Sequence, residues 1–235
     1  ELILADLEMV NRRVEKAAKA AKGDKKFLHE VEVFKALAEH LDGGKSARTF
    51  NCDKDDRAII ETADLLSLKP IIYAANMDEA GFADCDSNSY YNDVKALAEK
   101  EQAQVLPICA KIEAELSELD PEDAADYLES LGLEQPGLDV LAQAAYKLLG
   151  LQSFFTAGEM EVKAWTVRQG ATAPQAAGVI HTDFERGFIK AEVIGYDDYI
   201  ELGGEQGAKA AGKLRIEGKD YVMHDGDVTL FRFNV

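Results

Sequence analysis

The chain is poor in the groups that cross-link, chelate or anchor a protein. Its three cysteines among 235 residues, Cys52, Cys85 and Cys109, are odd in number, far apart and without a C-x-x-C pair. That argues against a disulfide frame or a cysteine zinc site and suits a reducing compartment. No apolar run approaches membrane-spanning length, and no signal-peptide pattern is visible. Between Lys111 and Gly150 there is no histidine, so a histidine-based hydrolytic arrangement has no member there. Positive charge is scarce as well. The net charge is −18, and residues 71–150 hold 17 acidic against 4 basic side chains. A polyanion would be repelled by that middle segment and must meet the two ends.

What is present suffices for a core. Hydrophobic residues make up 47% of the chain, enough for two or three packed units at this length. Glu1 stands first, already inside a helical pattern, which reads as a fragment. Over residues 1–42, Leu7, Val10, Val14, Ala17 and Ala21 recur at steps of three and four; Phe27, Val31, Phe34 and Leu41 resume the pattern after Lys22-Gly23-Asp24. This spacing predicts an antiparallel helical hairpin with coiled-coil-like packing. Lys16, Lys19, Lys22, Lys25 and Lys26, with Arg12 and Arg13, surround its tip against only Glu15 and Asp24. They form either a solvated helix face or a contact for RNA phosphate or an acidic protein surface. A further helix is expected to begin at Asp53 and Asp55-Asp56 and to run through Arg57–Leu66.

Lys69–Glu79 (KPIIYAANMDE) then reads as a buried strand ending abruptly at Asn76-Met77-Asp78-Glu79. Ligands of open α/β sheets sit beyond the carboxyl ends of such strands, where the Asn76 amide could both donate to and accept from a flat heterocycle. Read otherwise, the tetrapeptide is a polar turn capping the next helix. A second strand, Ala103–Ala110, ends in Cys109-Ala110-Lys111, and Asn88–Gln102 supplies the helical crossover that parallel strands need. Two motifs are rejected. Gly43-Gly44-Lys45-Ser46 lacks the upstream glycine of a phosphate loop, Glu39 standing there. Asp84-Cys85-Asp86-Ser87-Asn88 has Ser89 and Lys95 where a calcium loop wants Gly and Glu; the run reads instead as turn and N-cap oxygens for the helix through Lys100.

After Lys111, helices are expected from Asp120-Pro121 and over Gly137–Leu149. The texture then changes to short strands, Ser153–Thr156, Glu161–Val167, Phe188–Ile194, Tyr221–His224 and Thr229–Asn234, around a helix within Ala171–Ile180. Asp225-Gly226 marks a turn between the last two strands, and the set suggests a compact α+β unit. His181, Asp183, Glu185 and Lys190 cluster in sequence, but without a nucleophile or metal spacing they read as structural or surface residues. Lys209, Lys213, Arg215 and Lys219 form a basic strip, either a contact for RNA or protein or a solvated face balanced by Glu205 and Glu217.

Asn-x-x-Glu at 76–79 and Cys-Ala-Lys at 109–111 resemble the two base-reading loops of GTPase-type P-loop NTPases. With KPIIYAANMDEAGF, GATAPQAAGVIHTDFERGFIKAEVI, GEQGAKAAGKLRIEGKDYV and DGDVTLFRFNV in order, the chain resembles the carboxyl-terminal two-thirds of the YchF/Obg-like ATPase family. The resemblance implies a mixed α/β and α+β fold in three parts: a coiled-coil insertion (1–66), the carboxyl-terminal part of the nucleotide-binding G domain (67–150) and a β-grasp, ubiquitin-like TGS domain (151–235). It implies ATP bound in preference to GTP by Asn76, Met77, Glu79, Cys109, Ala110 and Lys111. The phosphate loop, the catalytic groups and the Mg²⁺ ligands are expected upstream of Glu1, no metal site in this chain, and no activity of this chain alone. It further implies a cytoplasmic protein that associates with the ribosome, linked to translation or stress. A non-catalytic RNA- or protein-binding module is the alternative.

Overall fold

A computed structural model of the chain describes residues 1–158 and 161–234. They divide into two compact units, Glu1–Leu138 and Asp139–Val235. In the first, the periodic apolar stripe forms α1 (Leu2–Ala21) and α2 (Leu28–Asp42). The turn between them is pinned by the Asp24 carboxylate, which accepts from Lys26 N at 3.0 Å. Val10, Phe34, Leu37 and Leu41 are almost fully buried between the helices and against Ala47, Ile60 and Leu65. Burying each large side chain contributes about 2 kcal/mol, which sets the face each helix turns inward.

The helix expected to begin at Asp53 and Asp55-Asp56 does so, as α3 (Lys54–Glu61), but it stops short of the expected end at Leu66. Asp53 caps it by accepting from Asp55 N and Asp56 N, and it ends before Asp64, which takes a positive φ of 48°. Leu66 and Ser67 enter a separate 3-10 turn because their N–H groups are claimed elsewhere: Asp6 of α1, only 1% exposed, accepts from Leu66 N at 2.8 Å and Ser67 N at 2.6 Å.

Two strands follow, β1 (Ile72–Asn76) and β2 (Gln104–Ile108), paired in parallel with Asn76 opposite Ile108. The connection carries α4 (Glu79–Ala83) and α5 (Ser89–Glu101), the crossover that a parallel pair requires. After β2 come α6 (Ala110–Glu118) and α7 (Pro121–Ser130), the latter capped by Asp120 with Pro at its first position. α8 (Gly137–Leu148) closes this part of the chain and contains the boundary between the two units.

The second unit is a five-stranded mixed sheet built from β3 (Leu151–Ala157), β4 (Val162–Arg168), β5 (Phe188–Gly195), β6 (Arg215–Glu217) and β7 (Asp227–Phe233). The spatial order is β4-β3-β7-β5-β6, with β7 parallel to β3 and antiparallel to β5. One core holds Phe154, Val167, Ala173, Ala176, Ala177, Val193 and Phe231, with α9 (Ala173–Ile180) packed on that face. Three further short helices, α10 (Thr182–Arg186), α11 (Tyr196–Glu201) and α12 (Glu205–Ala210), accompany it where one was expected.

The strand expected at Tyr221–His224 reduces to a single bridge between Val222 and Thr172. Its backbone is committed to loops instead. Met223 N donates to Ala171 O at 2.9 Å, and Met223 O accepts from the Gln152 side chain at 2.6 Å. The Asp225-Gly226 turn is present, with Gly226 at φ +82°, but it leads into β7 from a loop rather than from a ladder strand. Val235, the last residue of the DGDVTLFRFNV stretch, lies outside the described residues.

Candidate functional site

Parallel pairing in register makes β1 and β2 end side by side, so the two polar loops start as neighbours. Ala110 N donates to Asn76 Oδ1 at 3.0 Å, and Met77 N donates to Ile108 O at 2.9 Å. One lone pair of the Asn76 oxygen is thereby used, leaving the other and the NH₂ group for a ligand. Asp78 caps α4 by accepting from Gly81 N at 2.7 Å, so the turn is a helix cap as well as a loop at a strand end. Glu79, the first residue of α4, reaches across to the second loop, where Lys111 Nζ lies 2.6 Å from its carboxylate. Lys111 also stands 3.8 Å from Glu115, which accepts from Tyr127 OH. The hydrogen bond to Glu79 raises the Lys111 pKa above its ordinary value, although the ammonium is open to water.

The structure therefore brings Asn76 to Ala110 and Glu79 to Lys111. Cys109 is different: its side chain is 1% exposed and packs with Ile112, Leu116, Phe82 and Tyr127. It faces the core, and only its backbone belongs to the loop. Met77 borders a cleft of ≈ 330 Å³ with Asn76, Asp78, Asn88, Tyr90 and Tyr91. That is near the lower end for small-molecule sites.

Beneath the strands, Glu101 at the end of α5 accepts from Tyr73 OH at 2.5 Å, Arg48 Nη2 at 2.6 Å and Ser46 Oγ at 3.2 Å. Burial alone would raise its pKa, but the hydrogen bonds from Tyr73 and Arg48 outweigh it and hold the carboxyl below its ordinary value. This cluster joins β1 and α5 to the segment leaving the hairpin, and the sequence reading did not identify it. An Arg and a Glu fifty-three positions apart carry no mutual signal in one sequence.

Lys16, Lys19, Lys22 and Lys25 are exposed around the hairpin tip and make no ion pair among the described residues, whereas Lys26 is held 2.9 Å from Asp24. Arg13 is not at the tip but donates to Thr62 O at 2.6 Å. In the second unit the basic strip is partly neutralised. Lys213 pairs with Asp198 at 3.0 Å, and Arg215 donates to Tyr221 OH and to the buried Asp227. Lys209 and Lys219 remain exposed. Burial and the Asp227 hydrogen bond push Tyr221 up to about 12. His181 caps α10 by accepting from Asp183 N at 3.2 Å, and Lys190 pairs with Glu192.

Among the described residues, no group of three or more His, Cys, Asp or Glu side chains could hold a metal ion. No helix there is long and apolar enough to cross a membrane. Cys52, Cys85 and Cys109 are unpaired.

Comparison with known proteins covers the whole chain. Residues 151–234 match the family model YchF-GTPase_C, described as a protein of unknown function (DUF933). Over 236 aligned residues the chain is 50% identical to the ribosome-binding ATPase YchF of Pasteurella multocida and 47% identical to that of Bacillus subtilis. In both cases it is covered completely and spans 64% of the relative's length. Among solved structures it is similar to the Schizosaccharomyces pombe YchF GTPase, with a TM-score of 0.83 and 31% identity over 99% of this chain and 63% of that one. A GTP-binding protein of Pyrococcus horikoshii, at 18% identity and a TM-score of 0.56, shares the fold.

Proposed function

Because the chain belongs to the YchF family, we propose that it is part of a ribosome-associated P-loop ATPase of the cytoplasm that binds ATP in preference to GTP. In this reading residues 67–150 supply the base-reading edge of the nucleotide domain, residues 1–66 an arm, and residues 151–235 a TGS module. Three observations support the division. The hairpin core is built from residues 3 to 68 alone. The two loops adjoin at the ends of parallel strands. The mixed sheet sets its last strand in the middle beside the first, the order expected of a β-grasp module.

The observation that carries the nucleotide reading is the direct link of Asn76 to Ala110, which joins the two loops into one edge. Asn76, Met77, Glu79, Cys109, Ala110 and Lys111 are the base-site residues, Cys109 through its backbone. A guanine-reading carboxylate must accept from both N1–H and the 2-amino group, and adenine has neither. Glu79 is already engaged by Lys111 at 2.6 Å, and Met77 offers apolar, polarisable cover to a ring. Both features favour adenine. Any Mg²⁺ that accompanies the triphosphate would sit with the phosphates rather than at this base-reading edge.

Competitive titration of the intact protein should show ATP binding at least about tenfold tighter than GTP, since a wrong base leaves buried groups unpaired. Glu79→Asp alone should not restore guanine, because Met77 still stands where GTPases carry Lys. Equal or tighter GTP binding would refute the reading. The 235-residue chain by itself has no G-x-x-x-x-G-K-(S/T) run and should bind ATP only weakly, because triphosphate affinity rests on phosphate contacts. Micromolar binding in calorimetry would contradict this.

A further inference from the structure

The geometry points to Asn88 and Tyr90, on the first turn of α5, as the missing wall of the purine site: Tyr90 as a ring that covers the base, Asn88 as a positioning residue for Met77. The inference rests on the nucleotide reading above and extends it to two residues outside both loop motifs.

Asn88 is committed at both ends of its amide. Its Oδ1 accepts from Tyr90 N at 3.0 Å and Tyr91 N at 3.3 Å, capping α5. Its Nδ2 donates to Met77 Sδ at 3.6 Å. A capping oxygen could come equally from Asp, Ser or Thr, but only an amide also offers an N–H to the thioether. The same side chain that starts the helix therefore fixes a flexible methionine at the floor of the ≈ 330 Å³ cleft. Gly81 packs closely beside it. A β-carbon on Gly81 would lie 3.3 Å from Asn88 Nδ2 and 3.0 Å from Asp78 Oδ1.

Tyr91, the next residue, is largely buried at 8% exposure, whereas Tyr90 borders the same cleft at 82%. Tyr90 makes no side-chain bond among the described residues. A large ring left in water at the mouth of a cleft that already holds Asn76 and Met77 has its face available to a second flat ring. A base held between a thioether and a phenol ring gains affinity without reading of its edge. Asn76 then does the reading.

That split of roles is what the experiment measures, with fluorescent ATP and GTP analogues titrated into the intact protein. Tyr90→Ala should weaken both nucleotides by the same factor, about tenfold, and leave the preference between them unchanged; Tyr90→Phe should restore binding. Asn88→Asp keeps the cap oxygens and hence the melting temperature. It should raise KM for ATP several-fold at constant kcat, the mark of lost ground-state binding. A fall in kcat without a change in KM, or wild-type KM in a folded Asn88→Asp protein, overturns the positioning role. Unchanged binding in Tyr90→Ala while Asn76→Ala is impaired overturns the stacking role and leaves the nucleotide reading standing. Unchanged binding in Asn76→Ala as well removes the nucleotide reading itself.

Discussion

Asp6→Ala is expected to destabilise the first unit by about 3 kcal/mol, the largest loss from any single polar side chain there. Asp6 is 1% exposed on the inner face of α1, and its two oxygens take the N–H groups of Leu66 and Ser67. Those residues lie some sixty positions away, just before β1. Truncation leaves two backbone donors without partners and a void beside Val10. An unsatisfied buried donor costs about 1–3 kcal/mol, and the void adds a smaller amount. Asp6→Asn retains one acceptor and should fall between. Urea unfolding followed by helical circular dichroism, with amide exchange at Leu66 and Ser67, checks this. The only tryptophan, Trp165, belongs to the other unit and would not report it. A loss below about 0.5 kcal/mol, the scale of an ordinary surface substitution, would show that water takes over the role of Asp6.

The second large effect is expected at the far end of the same helices. Charge reversal of Lys16, Lys19, Lys22 and Lys25 to Glu should weaken association of the intact protein with ribosomes by about a hundredfold or more at moderate salt, with ATP affinity unchanged. These four side chains are exposed and carry no carboxylate partner among the described residues, in a chain whose net charge is −18. Each phosphate contact contributes a counterion-release slope of about 0.9 in log K against log salt. The variant should therefore lose most of its salt sensitivity along with its affinity. Lys26 and Arg13 are omitted on purpose, being tied to Asp24 and Thr62. Co-sedimentation at wild-type levels across a salt series would exclude the tip as the contact.

Periodicity carried the hairpin and β1 into view because both are decided locally. An apolar residue every third or fourth position names a helix face, and a short apolar run bounded by Pro70 and Asp78 names a strand. Where the sequence reading missed, distant partners decide. Tyr221–His224 has strand-like residues, yet Gln152, Ala171 and Asp227 hold its polar groups in a loop. β6 is three residues long and exists because β5 pairs with it. Asp6 left a visible trace, a carboxylate four positions before Val10 on the apolar stripe, but its meaning depends on Leu66 and Ser67.

The site divides the same way. The loops were readable from Asn76 and Lys111 because their spacing around a crossover is characteristic. Asn88 was recognised as a cap oxygen, while its amide contact with Met77 required the fold. The orientation of Cys109 into the core was hidden because a cysteine between a strand and a helix can face either way.

The placement of β7 has a consequence for how this protein is made. Of the five strands, the one that lies between β3 and β5 leaves the ribosome last. Until Asp227–Phe233 has emerged, the earlier strands exist at most as two separate ribbons, β3–β4 and β5–β6. Each has an unpaired inner edge, and Phe154 and Val193 lack Phe231. Loop closure over more than seventy residues then has to precede any reward from β3–β7 pairing. Vectorial synthesis thus holds this half of the molecule open, with edges that can pair wrongly, while every residue of the hairpin core, from Val10 to Leu65, has already emerged and is free to fold first.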